Sequence, residues 1–226
     1  MSLLTSLFPN VSVRMDEFYD ATLQTIAMIA IVGIVSFVFS LVLALALTVT
    51  RHGGLSPNPV VFQIVDKLTN FFRSIPFIIL ATTMIPLTRF LVGTAIGLRG
   101  AVVPLIVGIT PFFTRQIESA LMNVDPGVVE ASVSMGLSKP QIIWAVYLRE
   151  SIPQIAKVTT ITIIHLLALT AVIGVVGGGG LGDFAIRYGF QRYMFDASVA
   201  VILVYLVFIY IVETTGKLVI ERTTHN

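Results

Sequence analysis

Long apolar runs alternate with short polar stretches along this chain, and the length of each run is the first guide to its fold. A helix of about 20 apolar residues spans the hydrocarbon core of a bilayer. Five runs qualify, and they predict membrane-spanning helices near residues 23–50, 70–92, 100–120, 155–176 and 197–219. Because the connections contain no internal repeat and no low-complexity linker, the pattern predicts one all-α integral membrane domain over residues 1–226.

The composition agrees with residence in a lipid bilayer. Hydrophobic residues make up 56% of the chain and charged residues 12%, whereas soluble domains carry about 25% charged residues. The net charge of +2 is too small and too scattered to indicate a nucleic-acid partner. The lack of cysteine excludes disulfides, thiolate metal sites and cysteine nucleophiles. The N-terminus lacks the features of a secretory signal, so the first run is expected to remain as a span.

The distribution of lysine and arginine predicts the orientation of the spans. With the N-terminus outside, nine of these residues fall on the cytoplasmic side and five on the outer side. This agrees with the positive-inside rule, and it puts the C-terminus and the connection 121–154 in the cytoplasm. The five outer residues are Arg14, Arg89, Arg99, Arg187 and Arg192.

The connection 121–154 contains signals for two short helices. Asp125 followed by Pro126 is typical of a helix start. The carboxylate accepts hydrogen bonds from free N–H groups of the first turn, and proline lacks an N–H at a position where it would have no partner in the helix. The first helix is expected to end at Gly136. Ser138 and Gln141 have the spacing of a capping box for a second helix, QIIWAVYLRE.

The residues alone leave two interpretations of this connection open. A thin helix before a tight turn suits a groove on another protein. The alternative is an amphipathic hairpin that rests on the membrane, where Trp144 and Tyr147 suit the headgroup region. The side chains that make the first helix thin are Gly127, Ala131, Ser132 and Ser134.

Glu130, Ala131, Ser132 and Gly136 follow the pattern E-A-A-x-x-x-G, with Ser132 in place of the second alanine. On a cytoplasmic loop this pattern resembles the signature of permease subunits of bacterial ABC importers. The resemblance implies a coupling helix that docks into a cleft of a separate ATPase subunit. Asp125 and Gly127 are expected to belong to the same docking surface. Arg149 departs from the family, which usually has a proline there, and Pro153 follows four residues later.

Other segments resemble the permeases of methionine importers in particular. The likeness covers most of the chain from about residue 67 onward. The segments are KLTNFFRSIPFIIL at 67–80, MIPLTRFLVGTAIGL at 84–98, VPLIVGITPFFTRQIESAL at 103–121 and GGGGLGDFAIRYGF at 177–190.

The resemblance implies the type I ABC importer permease fold, working by alternating access in the bacterial inner membrane. It implies a homodimer with two ATPase subunits, which bind ATP and Mg²⁺, and an extracytoplasmic substrate-binding protein. The chain itself is expected to bind no cofactor or metal and to catalyse no reaction. The implied substrate is methionine, and the alternative is another amino acid or small nutrient.

The second and fourth spans contain the residues expected to contact the substrate. Pro76 frees a backbone carbonyl, which membrane proteins tolerate only where protein or a water-filled cavity satisfies it. The family resemblance implies that this span and the middle of the fourth line the translocation path. The expected lining residues are Ser74, Pro76, Met84, Thr170, Ala171 and Val172. His165 has no second histidine near it in the sequence, so no metal site is expected there.

A glycine cluster follows the fourth span, at Gly177, Gly178, Gly179 and Gly180. It lacks the lysine and the strand context of a nucleotide-binding loop. Two interpretations stay open: a flexible turn where the span ends, or an outer gate that bends as the pore opens.

Two function classes outside transport are also compatible with parts of the sequence. Gly180-Leu-Gly-Asp183 matches the G-x-G-D motif of intramembrane aspartyl proteases, and Tyr19-Asp20 resembles its partner motif. Such an enzyme needs two carboxylates that share a proton within the membrane. Both aspartates are instead expected at an aqueous edge, Asp183 with Arg187 one turn away. A structural or assembly protein is the other class, and it would belong to no complex with substrate-stimulated ATPase activity.

Overall fold

The computed structural model describes residues 7–224, which are helical apart from short connections and contain no strand. Two of the helices continue directly as π-helices, Lys139–Ile142 into Ile143–Leu148 and Gly180–Phe184 into Ala185–Phe190. The helices are α1 (Pro9–Val13), α2 (Met15–Thr50), α3 (Pro59–Ser74), α4 (Phe77–Thr83), α5 (Ile85–Val92), α6 (Gly97–Met122), α7 (Pro126–Ser134), α8 (Lys139–Ile142), α9 (Ile152–Gly174), α10 (Gly180–Phe184) and α11 (Phe195–Thr223).

Four helices of the described chain are long and apolar enough to cross a membrane, namely α2, α6, α9 and α11. Their most apolar windows have mean hydropathies of 2.9, 1.5, 1.8 and 2.5. They correspond to the first, third, fourth and fifth predicted spans, although α2 begins at Met15 rather than near residue 23. The predicted all-α membrane fold is therefore confirmed.

The predicted second span, 70–92, is not one continuous helix. It comprises the end of α3 and the whole of α4 and α5, with breaks at Ile75–Pro76 and at Met84. Pro76 has no N–H to donate and disfavours the helical conformation of the residue before it. Pro86 lies in the first turn of α5, where proline is accepted. The count of five spans stays a prediction.

The chain folds into two compact units, each assembled from three separate segments. Unit one consists of Met1–Val35, Ile75–Gly108 and Ile163–Val212, and unit two of Ser36–Ser74, Ile109–Thr162 and Glu213–Asn226. A main core of unit one forms around α10 and its π-helical continuation, where Leu181, Phe184 and Tyr188 are buried. The core of unit two forms where α6 meets α8, with Phe113 and Ile142 among its buried residues.

Candidate functional site

The first turn of α7 is held by its N-cap. Asp125 has φ −59° and ψ 122°, outside the helical range, and its Oδ1 accepts a hydrogen bond from the Gly127 N–H at 2.8 Å. Pro126 occupies the first helical position. The predicted helix start is confirmed, and it follows entirely from residues that are adjacent in sequence.

The last turn of α7 ends in a Schellman motif. Gly136 has φ +78°, and its N–H donates to Val133 O at 3.0 Å, while Leu137 N–H donates to Ser132 O at 3.2 Å. A Cβ on Gly136 would meet no atom within 4 Å. The glycine is therefore required by its left-handed backbone conformation and not by lack of space.

α7 has one face on the core of unit two and one face exposed. Ser132 is buried, and its Oγ donates to Val128 O within the same helix at 2.8 Å. Val129 packs against the core on the same side. Glu130 and Ala131 are exposed, as are the apolar side chains of Val128, Val133 and Met135. A helix fixed at both ends thus presents an apolar outer face that the described chain leaves uncovered.

The second helix of the connection is anchored at its start. Gln141 Oε1 accepts hydrogen bonds from the Ser138 N–H at 2.8 Å and from Ser138 Oγ at 2.7 Å, as the capping-box spacing predicted. Trp144 is 72% exposed, but Tyr147 is buried in the core of unit two. The placement of both aromatic rings at the headgroups is therefore wrong for Tyr147. The π-helical turn from Ile143 to Leu148 directs this ring inward.

Arg149 continues the helical chain at the position where the family usually has proline. Its φ of −66° and ψ of −47° are helical, and its N–H donates to Val146 O. Proline has no N–H and cannot make this bond. Pro153 instead stands in the first turn of α9, where a missing N–H is tolerated. The helical chain that leaves the loop therefore continues through Arg149.

The residues predicted to line the substrate path differ in exposure. Ser74 and Pro76 are exposed, whereas Met84 and Thr170 are buried. Thr170 Oγ1 donates to Leu167 O at 2.7 Å and lies 3.2 Å from the Tyr205 hydroxyl. Ala171 and Val172 are half-buried. Ser74 belongs to unit two and the other five to unit one.

The glycine cluster forms the turn between α9 and α10, with positive φ at Gly177, Gly179 and Gly180. Its backbone is held by groups that the sequence analysis missed. Gly180 N–H donates to Gln24 Oε1 at 3.0 Å, and Leu181 N–H donates to Thr25 Oγ1 at 2.9 Å. The only signal for them was the presence of polar side chains in the otherwise apolar start of the first span.

A charged network in unit two was also missed. Arg115 of α6 pairs with Asp66 of α3 and donates to Asn70 Oδ1 at 2.9 Å. Its other guanidinium nitrogen donates to Glu118 at 2.7 Å. Asn70 in turn donates to Asp66 at 3.2 Å. The network fastens the amphipathic helix α3 to the span α6, over a sequence separation that no local pattern reveals.

The two aspartates of the protease motifs do not form the site that such an enzyme needs. Asp183 Oδ2 accepts a hydrogen bond from Arg187 Nε at 2.8 Å, and Asp20 is exposed on α2. The carboxylate is thus paired with a guanidinium instead of sharing a proton with a second carboxylate. Among residues 7–224 no group of three histidine, cysteine or acidic side chains is arranged to hold a metal ion.

Residues 43–225 match the family of binding-protein-dependent transport system inner membrane components. The chain belongs to this family, and it is a permease subunit rather than an enzyme. Among its relatives, the probable D-methionine transport system permease protein MetI of Vibrio cholerae is 41% identical over 210 residues, which cover 93% of each chain. The methionine import system permease protein MetP of Bacillus subtilis is 38% identical over 212 residues, covering 94% of this chain and 95% of its own.

A solved structure has the same fold over its whole length. It is an inward-facing MetNI methionine ABC transporter, and the matched chain superimposes with a TM-score of 0.90 at 36% identity, with full coverage of both chains. The predicted permease fold is confirmed. An amino acid ABC transporter matched at 19% identity, with a TM-score of 0.78, shares the fold alone.

Proposed function

We propose that this chain is the transmembrane permease subunit of an ATP-driven ABC importer for methionine. The observation that carries the proposal is α7, a nine-residue helix fixed at both ends, which exposes Glu130 and Ala131 of the E-A-S-x-x-x-G pattern and buries its serine. The substrate is supported by the relatives in Vibrio cholerae and Bacillus subtilis, whose names specify methionine and whose sequences align over nearly the whole chain.

The proposed assembly contains two copies of this chain, each acting as one transmembrane domain over residues 1–226. Each α7 docks onto one ATPase subunit, which binds ATP and Mg²⁺, and an extracytoplasmic binding protein delivers the substrate. The N-terminus lies outside and the C-terminus in the cytoplasm. In a dimer with a two-fold axis, the same surface of each permease copy meets that of its partner, so the two copies together enclose the substrate path. Each ATPase then has an equivalent contact with one permease.

The residues of the docking surface divide into three roles. Asp125, Gly127 and Gly136 fix the ends of α7, and Ser132 joins it to the core of unit two. Glu130 and Ala131, together with the exposed Val133, contact the ATPase. Because α7 cannot fray at either end, it transmits movement of the ATPase to the spans as a rigid body. ATP binding draws the two helices together, and hydrolysis releases them.

The substrate passes by alternating access along a path that Pro76, Met84, Ala171 and Val172 line in unit one, and Ser74 of unit two stays a predicted lining residue. Thr170, bonded to Tyr205, positions the two residues that follow it. The glycine turn Gly177, Gly178, Gly179 and Gly180 serves as the outer gate. In the closed state of the gate, Gln24 and Thr25 accept hydrogen bonds from the first two N–H groups of α10. Breaking these two hydrogen bonds is the step that lets the turn bend.

Two glycines allow a matched test of the docking role of α7. Gly136 and Gly53 have nearly identical backbone conformations, φ +78° and +77°, and a Cβ on either meets nothing within 4 Å. Valine therefore imposes the same local strain at both positions, but only Gly136 ends α7. We expect native mass spectrometry of the detergent-purified complex to find two permeases and two ATPases for the wild type and for Gly53→Val. Gly136→Val should lose the ATPase.

Equal loss of the ATPase in both variants, or in neither, would contradict the docking role. A permease that purifies in its native host without any ATPase would contradict the importer itself. The substrate is tested separately, by uptake of labelled methionine into proteoliposomes that contain the whole complex and its binding protein. ATP-dependent uptake of another labelled amino acid by the same complex, with no such uptake of methionine, would overturn the substrate and leave the importer intact.

A further inference from the structure

Three arginines surround one tyrosine in unit one. The guanidinium carbons of Arg14, Arg187 and Arg192 lie 4.9, 5.4 and 4.9 Å from the centroid of the Tyr188 ring. Tyr188 is buried, so its position is set by the core and not by the arginines. An aromatic face attracts each guanidinium, but it leaves their positive charges in place.

Only one of these arginines has carboxylate partners in the described chain. Arg187 lies 2.8 Å from Asp183 and 3.8 Å from Glu17, which also accepts a hydrogen bond from the Tyr188 hydroxyl at 2.5 Å. Arg14 and Arg192 have no carboxylate within 4 Å among residues 7–224. The side-chain hydrogen bond of Arg14 is a long one, 3.5 Å to Asn10 O. Two guanidiniums without a carboxylate partner therefore lie at one ring, whose hydroxyl is bonded to Glu17.

The position of Arg14 is fixed by the fold. The backbone N–H and the side-chain amide of Asn10 both donate to the Asp196 carboxylate at 2.9 Å, which ties α1 to the start of α11. Val11 of α1 is buried in the core of unit one. Arg14 and Arg192 thus both lie at the Tyr188 ring, and the fold holds the segment that carries Arg14 there before any anion binds.

The neighbouring surface has the character of a membrane–water interface. Phe190, Tyr193 and Phe195 expose 74%, 89% and 79% of their surface. Phe195 shares a face of α11 with Ile202 and Leu206, seven and eleven residues further on, which are also exposed. Since that apolar face continues along a spanning helix, Phe195 lies where acyl chains end. Aromatic rings gather at this depth, and Arg192, just before the helix, reaches headgroup level.

We propose that Arg14 and Arg192 bind the phosphate of an anionic phospholipid, with the three exposed aromatic rings against its glycerol and upper acyl chain. Guanidinium groups match phosphate oxygens through paired N–H donors. A lipid is favoured over an acidic protein surface because the arginines adjoin an aromatic belt that continues into an exposed apolar span. The site retains one lipid at the end of the spans that is predicted to lie outside.

The test uses the complete chain in its purified complex and phosphatidylglycerol as the probe. Native mass spectrometry measures the apparent affinity for this lipid in wild type, in R14Q/R192Q and in R89Q/R99Q. The last variant removes the same charge from two exposed arginines on the predicted outer side, away from Tyr188. We expect R14Q/R192Q to weaken phosphatidylglycerol binding about tenfold and R89Q/R99Q to leave it within twofold. The charge-conserving R14K/R192K should bind more lipid than R14Q/R192Q.

Several outcomes would overturn the proposal. Equal losses in the two glutamine variants would mean that only general surface charge matters. Equal binding by R14K/R192K and R14Q/R192Q would mean that the charge at this site is irrelevant. Displacement of the lipid by inorganic phosphate in molar excess would make the site one for free phosphate. Unchanged lipid binding together with loss of the extracytoplasmic protein by R14Q/R192Q would assign the surface to that protein.

Discussion

Ser132 illustrates how one side chain satisfies two requirements in α7. It is buried in α7, and its hydroxyl donates to Val128 O in its own helix. A serine with this internal bond needs no other partner. The residue therefore replaces the small apolar alanine of the family pattern without leaving an unsatisfied polar group.

The N-cap of α7 can be tested by changing one residue. Asp125→Ala removes the acceptor of the Gly127 N–H, and loss of such a cap costs about 1 kcal/mol. Asp125→Asn keeps a capping oxygen and serves as the control. We expect faster amide hydrogen exchange in residues 126–134 for the alanine variant alone, measured by mass spectrometry. Equal protection in both variants would mean that the cap does not determine the stability of the helix.

Close backbone contacts, by contrast, determine the role of Gly182. A Cβ there would approach Ala171 O at 2.6 Å and Thr170 O at 2.8 Å, both of which are backbone atoms of α9. A Cβ built on Gly33 of α2 would meet no atom within 4 Å. We expect Gly182→Ala to destabilise the chain by about 1–3 kcal/mol through overpacking. Gly33→Ala should be neutral or slightly stabilising, since alanine favours helices.

Thermal unfolding of the two variants in the same detergent measures this difference. A fall in melting temperature confined to Gly182→Ala supports the tight contact between α9 and α10. Similar melting temperatures for both variants would mean that the two helices separate easily at this point.

At the scale of elements, the network around Arg115 links α3 to α6. The Arg115 and Asp66 side chains are 20% and 31% exposed, so solvent screens the pair only partly. A double-mutant cycle with Arg115→Gln and Asp66→Asn should give a coupling energy of about 1 kcal/mol or more. The control is the i,i+4 pair Arg187 and Asp183, whose arginine is 48% exposed, with an expected coupling below about 0.5 kcal/mol. Equal couplings would contradict a special role for the network.

Residues that are close in sequence predicted the helices of this chain and their ends. They did not predict the contacts between distant segments. Asp125, Gly136 and Gln141 set helix ends through bonds to residues within five positions, so their spacing in the sequence was sufficient. The break at Pro76 was visible, but the apolar residues around it have the composition of a span, and hydropathy dominated the prediction. The acceptors Gln24 and Thr25 lie 156 residues from the N–H groups that they hold. No pattern of spacing predicts such a pair.

At the scale of the whole molecule, the lack of cysteine makes the predicted orientation directly measurable. Any maleimide label must react with a cysteine that has been introduced. Gln191→Cys and Ser134→Cys both place it at an exposed position. In spheroplasts we expect a membrane-impermeant maleimide to label Gln191→Cys at once and Ser134→Cys only after permeabilisation. The reverse order would invert the topology, and it would remove α7 from the cytoplasm.

The two fixed ends of α7 have a consequence for how transport systems diversify. Because the Asp125 side chain and the left-handed backbone of Gly136 fix the ends of the helix, the outward side chains Val128, Val133 and Met135 contribute little to folding. Under the proposed docking, substitutions at these three positions change which ATPase is recognised while the permease itself folds as before. Duplicated transporters in one cell can acquire separate ATPases in this way, and an engineered pair can be insulated from the native one by exchanging a few side chains on a single helix.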